Sequence, residues 1–277
     1  MKVCYNNTYL HHFFYVLFYI LRYEINIFCF IFICTSLISC SNSYQQSQNL
    51  EVPINTIERA ENIYYRLGYT VSFNPELNIP NWVAWELNSS KLIERESRAG
   101  HFYPDPDIPR GIAVETGDYS NSGYDRGHMC PAADNKWDKQ AMRESFYMTN
   151  ICPQHHNLNR GDWKELEDDC RRWVEESGTI YIACGPILYK NDISYIGEER
   201  KIRVPNAFFK VILAGLDEGK PRAIGFIYKN TSGNNPLDHY VNSVDQVERI
   251  TGLDFFSQLP DDVENEIESN YNLNQWR

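Results

Sequence analysis

The sequence predicts an α+β fold, on three observations. Apolar, β-branched runs recur along the chain, one long segment among them has helical periodicity, and the chain ends in acidic helical sequence. In order, "TIERAENIYYRLG" (56–68) predicts a short helix, and "PNWVAWEL" (80–87) alternates apolar and polar positions like a half-buried strand. Three prolines and two glycines make "GHFYPDPDIPRG" (100–111) a loop. "SFYMTNI" (145–151) and "GTIYIACGPIL" (178–188) predict strands. Between them, from Asn159 to about Glu176, the apolar residues Trp163, Leu166, Cys170, Trp173 and Val174 fall three or four apart, which makes one buried helical face. Arg160, Lys164, Asp168 and Arg171 take the other side, and Gly178 is the stop. "NAFFKVILAG" (206–215) and "RAIGFIYKN" (222–230) predict two more strands joined by a turn. "VNSVDQVERIT" (241–251) predicts a helix closed by Gly252, and "PDDVENEIESN" (260–270) a solvated acidic helical face without a function.

With 277 residues, 43% of them hydrophobic, the chain can bury a full core, as one large domain or two small ones. A net charge of −11 argues against a protein that coats nucleic acid by bulk charge, because phosphate affinity comes from Lys and Arg displacing counterions. It leaves room for an enzyme that grips one phosphate locally and releases its product.

The first forty residues differ from the rest. "FFYVLFYIL" (13–21) and "INIFCFIFICTSLIS" (25–39) are strongly apolar. The second run is shorter than the roughly 20 residues of a bilayer span and suits the apolar region of an export signal. It ends in Leu37-Ile38-Ser39-Cys40, which resembles a lipobox with Cys40 as the lipid attachment; a plain membrane-spanning anchor is the alternative. The organisation expected is therefore an export signal over 1–39, a polar tether over 40–55 and one domain over 56–277. The protein would be a membrane-anchored lipoprotein, periplasmic or at the cell surface.

"SGYDRGHMCPAAD" (122–134) crowds ionisable side chains, glycines and a proline into one short segment. By itself it has two readings, a turn with a salt-bridged Asp and Arg or a catalytic loop. The chain order decides between them. D-R-G-H-x-x-P-A-x-D is followed by T-N-x-x-P-Q (149–154) and then by L-N-x-G-x-W-x-x-L-E (158–167). This succession resembles the DNA/RNA non-specific endonuclease family over most of residues 70–260. The resemblance implies a ββα-metal nuclease fold: a central antiparallel sheet with a catalytic hairpin-helix element.

The family's functional residues carry over one at a time. His128 matches the general base, Asn159 the protein ligand of a catalytic Mg²⁺ (with Mn²⁺ as a substitute), and Glu167 the acidic residue that holds the ion's water. Asn150 matches the active-site Asn near the base, and Arg126 the motif Arg. Arg98 matches the upstream phosphate-contacting Arg, with Arg110 as the alternative. Read alone, Asn159 is also a good helix N-cap. Lys136, Lys139, Arg143, Arg160 and Lys164 form either a phosphate track or a solvated charged face. The function implied is exported Mg²⁺-dependent hydrolysis of DNA and/or RNA to 5′-phosphate and 3′-hydroxyl ends. The rivals are a nucleic-acid-binding surface lipoprotein without catalysis and a zinc hydrolase built from Cys and His.

The chemistry suits these residue types. A neutral imidazole takes a proton from water near neutral pH. Mg²⁺ keeps several waters, so a single Asn carbonyl plus a phosphate oxygen attaches it. On an ideal helix Asn159 and Glu167 stand roughly 12 Å apart, so both are not ligands of one ion. Of eight cysteines, four lie beyond Cys40: Cys130, Cys152, Cys170 and Cys184. Cys170 on the helix faces the strand carrying Cys184, and Cys130 and Cys152 flank the catalytic segments, which predicts disulfides 130–152 and 170–184.

Overall fold

The computed structural model describes residues 49–276; the expected export signal and Cys40 lie outside them. The strands are, in order, β1 (Ile54–Asn55), β2 (Asn62–Tyr65), β3 (Thr70–Asn74), β4 (Ile79–Asn88), β5 (Asp125–His128), β6 (Ile151–Gln154) and β7 (Thr179–Ile187). There follow β8 (Tyr195–Ile196), β9 (Ile202–Arg203), β10 (Ala207–Ala214), β11 (Arg222–Lys229), β12 (Val241–Asn242) and β13 (Leu253–Asp254). The helices are α1 (Lys139–Ser145), α2 (His156–Arg160), α3 (Asp162–Ser177), α4 (Val244–Thr251) and α5 (Asp261–Ser269).

A seven-stranded antiparallel sheet in the order β12-β11-β10-β7-β4-β3-β2 divides the molecule. Both of its faces are buried. On β10, Phe208 and Ile212 point into the core that holds Trp163, Cys170 and Trp173 of α3, while Phe209, Val211 and Leu213 point into a second core with Val244, Val247 and Ile267. Alternate side chains of one strand thus meet two cores, which is why "AFFKVILA" is apolar almost throughout. The same holds for β4, expected to be half-buried: Val83 and Trp85 face one core, Trp82 and Ala84 the other.

Two further expectations fail locally. Residues 56–61 form no helix and 62–65 are the edge strand β2, because Ile57, Ile63 and Tyr65 remain exposed and a helix would have had no apolar face to bury. The expected strand 145–151 is the end of α1 and a 3₁₀ turn, with an isolated bridge from Tyr147 to Tyr103, and strand β6 begins only at Ile151. The expected tether is also partly packed, since Leu50 is buried in the second core and β1 pairs with β13.

Cys130, Cys152, Cys170 and Cys184 are all buried free thiols, so both expected disulfides are corrected. Register rules out the first. Cys152 lies opposite Gly127, and Cys130 is three residues further along the same pairing, about 10 Å away. That exceeds the Cα separation of roughly 4.4–6.8 Å that a disulfide requires. In the second pair the Cys184 thiol is directed to the Met129 carbonyl at 3.3 Å. Burial pushes Cys170 and Cys184 up to about 12, which leaves them as inert apolar filler. Non-reducing peptide mapping should recover all four as alkylatable thiols; a 130–152 or 170–184 linked peptide would contradict the packing.

Candidate active site

The hairpin β5–β6 carries the motif. Its register sets His128 opposite Ile151 and Gly127 opposite Cys152. Gly127 has to be glycine, since a Cβ there would stand 2.2 Å from the Gln154 side-chain oxygen. Beyond β5 the pairing continues through Met129 N–H to the Asn150 carbonyl at 2.9 Å. The Asn150 amide then clamps the exit strand from both sides. Its Oδ1 accepts from Cys130 N–H at 2.9 Å, and its Nδ2 donates to the carbonyls of Cys130 and Ser145, each at 2.8 Å. Asn150 is fully buried, all its side-chain bonds go to backbone, and it does not line the cleft.

The cleft measures about 580 Å³ and opens over the hairpin and the helices that follow it. His128 lines it with the ring boxed between Phe102 at 5.2 Å and Phe146 at 4.8 Å, the latter edge-on. Burial, then the charge of Arg98, pulls the imidazole down to about 3, so the ring is neutral at physiological pH. Nε2 is shut off from solvent without a hydrogen-bond partner. The nitrogen left to meet the cleft is Nδ1.

Asn159 lines the same cleft as His128, but not as a helix cap. The predicted single helix is broken: α2 ends at Arg160, Gly161 turns the chain at φ −106°, ψ −113°, and α3 begins at Asp162. A side chain at Gly161 would strike the Asn157 carbonyl at 2.7 Å, so the turn depends on glycine. Asn159 therefore sits inside α2, and the cap reading falls. The straight-helix separation from Glu167 falls with it, and both residues line one cleft. The Asn159 Nδ2 donates to Asp125 Oδ2 at 2.9 Å. A carboxylate only accepts, so the amide is fixed with its NH₂ toward Asp125 and its Oδ1 uncommitted. Asp125 is held by His156 at 3.2 Å and Arg160 at 3.3 Å as well. Burial raises this carboxyl, but the bonds from Asn159 and His156 and the charge of Arg160 outweigh it, and the net shift is downward.

One helical turn into α3, burial pushes Glu167 up to about 7, with Lys210 and Arg171 opposing the rise and Asp134 and Asp168 adding to it. Arg171, on the same face four residues later, donates to the buried Asp134 at 2.7 Å and also pairs with Asp168. Burial weakens the Arg171 guanidinium's hold on its proton, but Asp134 more than restores it, so the charge is fixed. Arg126 donates to the Thr116 carbonyl at 2.7 Å and leans over Phe102 and Tyr119. Arg98 stands exposed at the rim over Phe146 at 5.2 Å. Arg110 is exposed and does not line the cleft, whereas Arg98 does.

Of the expected basic track, only Arg160 and Lys164 reach the cleft. Lys136 is paired with Glu94, and Arg143 lies over Tyr103. Even so, the five basic side chains Arg98, Arg126, Arg160, Lys164 and Arg171 face three carboxylates there. This is a local positive field on an acidic chain. Sequence reasoning missed Asp125, Asp134 and Arg171. The spacing of Arg171 from Glu167 was a usable signal, and both aspartates lay inside the quoted motif without a role. Among the described residues no cysteine joins a group of metal-ligating side chains, so the zinc reading has no centre.

Residues 45–262 match the DNA/RNA non-specific endonuclease family. Nuclease 1, mitochondrial, of Schizosaccharomyces pombe is 37% identical over 70% of this chain and 65% of its own length. Nuclease EXOG, mitochondrial, of Danio rerio is 36% identical over 72% of this chain and 62% of its own, and a nuclease of Nostoc sp. is 36% identical over 73% and 75%. The chain thus spans under two thirds of the first two relatives. A crystal structure of the EndoG/EndoGI complex, described as the mechanism of EndoG inhibition, superposes with a TM-score of 0.67 at 26% identity. It covers 74% of this chain and 89% of that one, and the fold is that of a ββα-metal nuclease. The names also correct the expectation of an exported, membrane-anchored lipoprotein, because the Schizosaccharomyces and Danio relatives are mitochondrial nucleases.

Proposed function

The chain belongs to the DNA/RNA non-specific endonuclease family, and we propose that its cleft hydrolyses phosphodiester bonds of DNA and RNA with Mg²⁺, leaving 5′-phosphate and 3′-hydroxyl ends. One observation carries the reading. A buried, neutral His128 turns one free nitrogen toward a cleft in which the carbonyl oxygen of Asn159 is held uncommitted by Asp125.

The donor set fits Mg²⁺, a hard cation that takes oxygen ligands and retains most of its water. Asn159 Oδ1 would hold it, and Glu167 would accept hydrogen bonds from its hydration shell. When bound, Mg²⁺ supplies positive charge to the phosphoryl oxygens and the leaving 3′-oxygen. The chain's own residues do the rest. His128 Nδ1 accepts the proton of the attacking water while Nε2 keeps its own, and the Phe102–Phe146 box holds the ring still. Arg98 and Arg126 donate charge-assisted hydrogen bonds to the phosphate as negative charge builds. Asn150 fixes the strand that aims His128, as its backbone clamp requires.

Incubation with plasmid and with single-stranded RNA tests the reading. EDTA should abolish degradation of both, and excess Mg²⁺ should restore it. Degradation that persists in EDTA would overturn the metal dependence, and tight binding without any cleavage would leave a nucleic-acid-binding protein.

The pH profile follows from the charges. His128 is neutral down to about pH 3, so its protonation sets no limb near neutrality. Glu167, raised to about 7 before Mg²⁺ binds, loses its negative charge as pH falls through that value, so the rate at subsaturating Mg²⁺ should fall below about pH 7. Glu167→Gln should lower the rate and erase this acid limb. A limb near neutrality that survives the substitution would assign it to His128 instead.

A further inference from the structure

On the face of the sheet opposite α3, helices α4 and α5 bring Asp245, Glu248 and Glu268 together, each offering a carboxylate oxygen within 4.8 Å of the others. Acidic helix surfaces are ordinarily solvated, and the sequence of α5 reads that way. Glu268 is different. It is 4% exposed, and its Oε1 is buried without a hydrogen-bond partner. A buried carboxylate normally has a donor or a counter-charge. The strongest charges acting on this one are further carboxylates, those of Glu248, Glu264, Asp254 and Asp245. Glu264 lies four residues before it on the same helix, the spacing at which like charges repel. Glu268 also occupies the last turn of α5, which has no basic residue, so the helix dipole opposes its negative charge. Burial and these neighbours push Glu268 up to about 9 and Glu248 to about 7. Glu248 has one stabilising partner, the Phe255 N–H at 2.8 Å, and Asp245 lies 4.0 Å from the exposed Arg249.

We infer that Asp245, Glu248 and Glu268 bind a hard divalent cation of the Ca²⁺ type, which ties α4 to α5 as a structural staple remote from the catalytic cleft. The ligand chemistry is all oxygen. Oxygens on opposite sides of one Ca²⁺ stand about 4.6–5.2 Å apart, against about 4.0–4.2 Å for Mg²⁺. Three oxygens that all lie within 4.8 Å of one another fit inside the first shell of Ca²⁺ without moving either helix. The cation would give the buried Glu268 carboxylate a counter-charge and turn like-charge repulsion into shared coordination. Water completes the shell, as Ca²⁺ takes six to eight ligands.

The test uses the full chain carrying Asn159→Ala, so that binding in the cleft does not enter the readout. Equilibrium dialysis against Ca²⁺ should find one ion per chain, and Tm should rise with Ca²⁺ until the site saturates. Adding Glu268→Gln should abolish both the bound ion and the rise. The amide is nearly isosteric with a protonated carboxyl, so in EDTA that variant should melt at or above its parent. Asp245→Asn, a half-buried change, should weaken Ca²⁺ binding without a loss of folding. No bound Ca²⁺ in the Asn159→Ala chain, or equal binding after Glu268→Gln, would overturn the site and leave Glu268 as a carboxyl that simply keeps its proton.

Discussion

Replacing His128 by alanine should lower kcat by about 10²–10⁴, the usual contribution of a positioned general base. Nucleic-acid affinity should change little, because the ring is neutral and the phosphate-facing charge at the cleft belongs to the arginines. The two effects separate in single-turnover kinetics, where chemistry slows and substrate binding does not. The substitution also empties a box made by Phe102 and Phe146, and a Phe-lined void costs stability. His128→Gln refills most of that volume without restoring an imidazole base. If the glutamine protein is as stable as wild type and equally slow, the loss is chemical. A glutamine variant with near-wild-type turnover would remove His128 from the mechanism.

Much of this site was legible in the sequence, for a physical reason. The three motifs fall on a hairpin and the two helices after it, which are local in the chain, so their order already implied that His128, Asn159 and Glu167 meet. What stayed hidden depends on tertiary contacts. Lys210 interrupts an apolar strand, yet it is fully buried, with Nζ 4.4 Å from the Trp163 ring and 5.3 Å from Trp85. No strand pattern predicts a cation there. Burial opposes its charge, but the neighbouring Cys184, Cys170, Glu167 and Asp134 together outweigh that and the net shift is upward. The disulfides failed similarly. Cys130 and Cys152 do lie on adjoining segments, as the sequence implied, but the register offsets them along the hairpin. Nearness of elements was readable, and register was not. Glu268 repeats the lesson, since an acidic helix looks solvated until the fold buries one of its carboxylates.

The second large effect concerns Asn159 and is best tested through Asp125. Asn159→Ala removes the carbonyl ligand and should cost roughly 10²–10³ in kcat, since a metal's electrostatic contribution is several kcal/mol. The more informative change is Asn159→Asp. By ligand chemistry alone it should be mild, because a carboxylate oxygen replaces an amide oxygen. The structure predicts otherwise. Asp125 Oδ2 lies 2.9 Å from Asn159 Nδ2, and the substitution sets carboxylate against carboxylate at that distance. Two such groups cannot both ionise there, so one takes a proton or the side chain swings away. In either case the ligand oxygen leaves its aim, and activity should drop while the apparent Mg²⁺ requirement rises. Asp125→Asn in the same chain supplies an amide donor toward the carboxylate introduced at position 159 and rebuilds the bond with its polarity reversed. The double variant should therefore be more active than Asn159→Asp alone, with a favourable coupling in the double-mutant cycle. Asp125→Asn alone should be impaired, because His156 and Arg160 lose the carboxylate they share. If the two losses merely add, Asp125 does not aim Asn159 and the uncommitted carbonyl is not the ligand. If the swap restores turnover at saturating Mg²⁺, the first residue of the D-R-G-H run works by orienting Asn159.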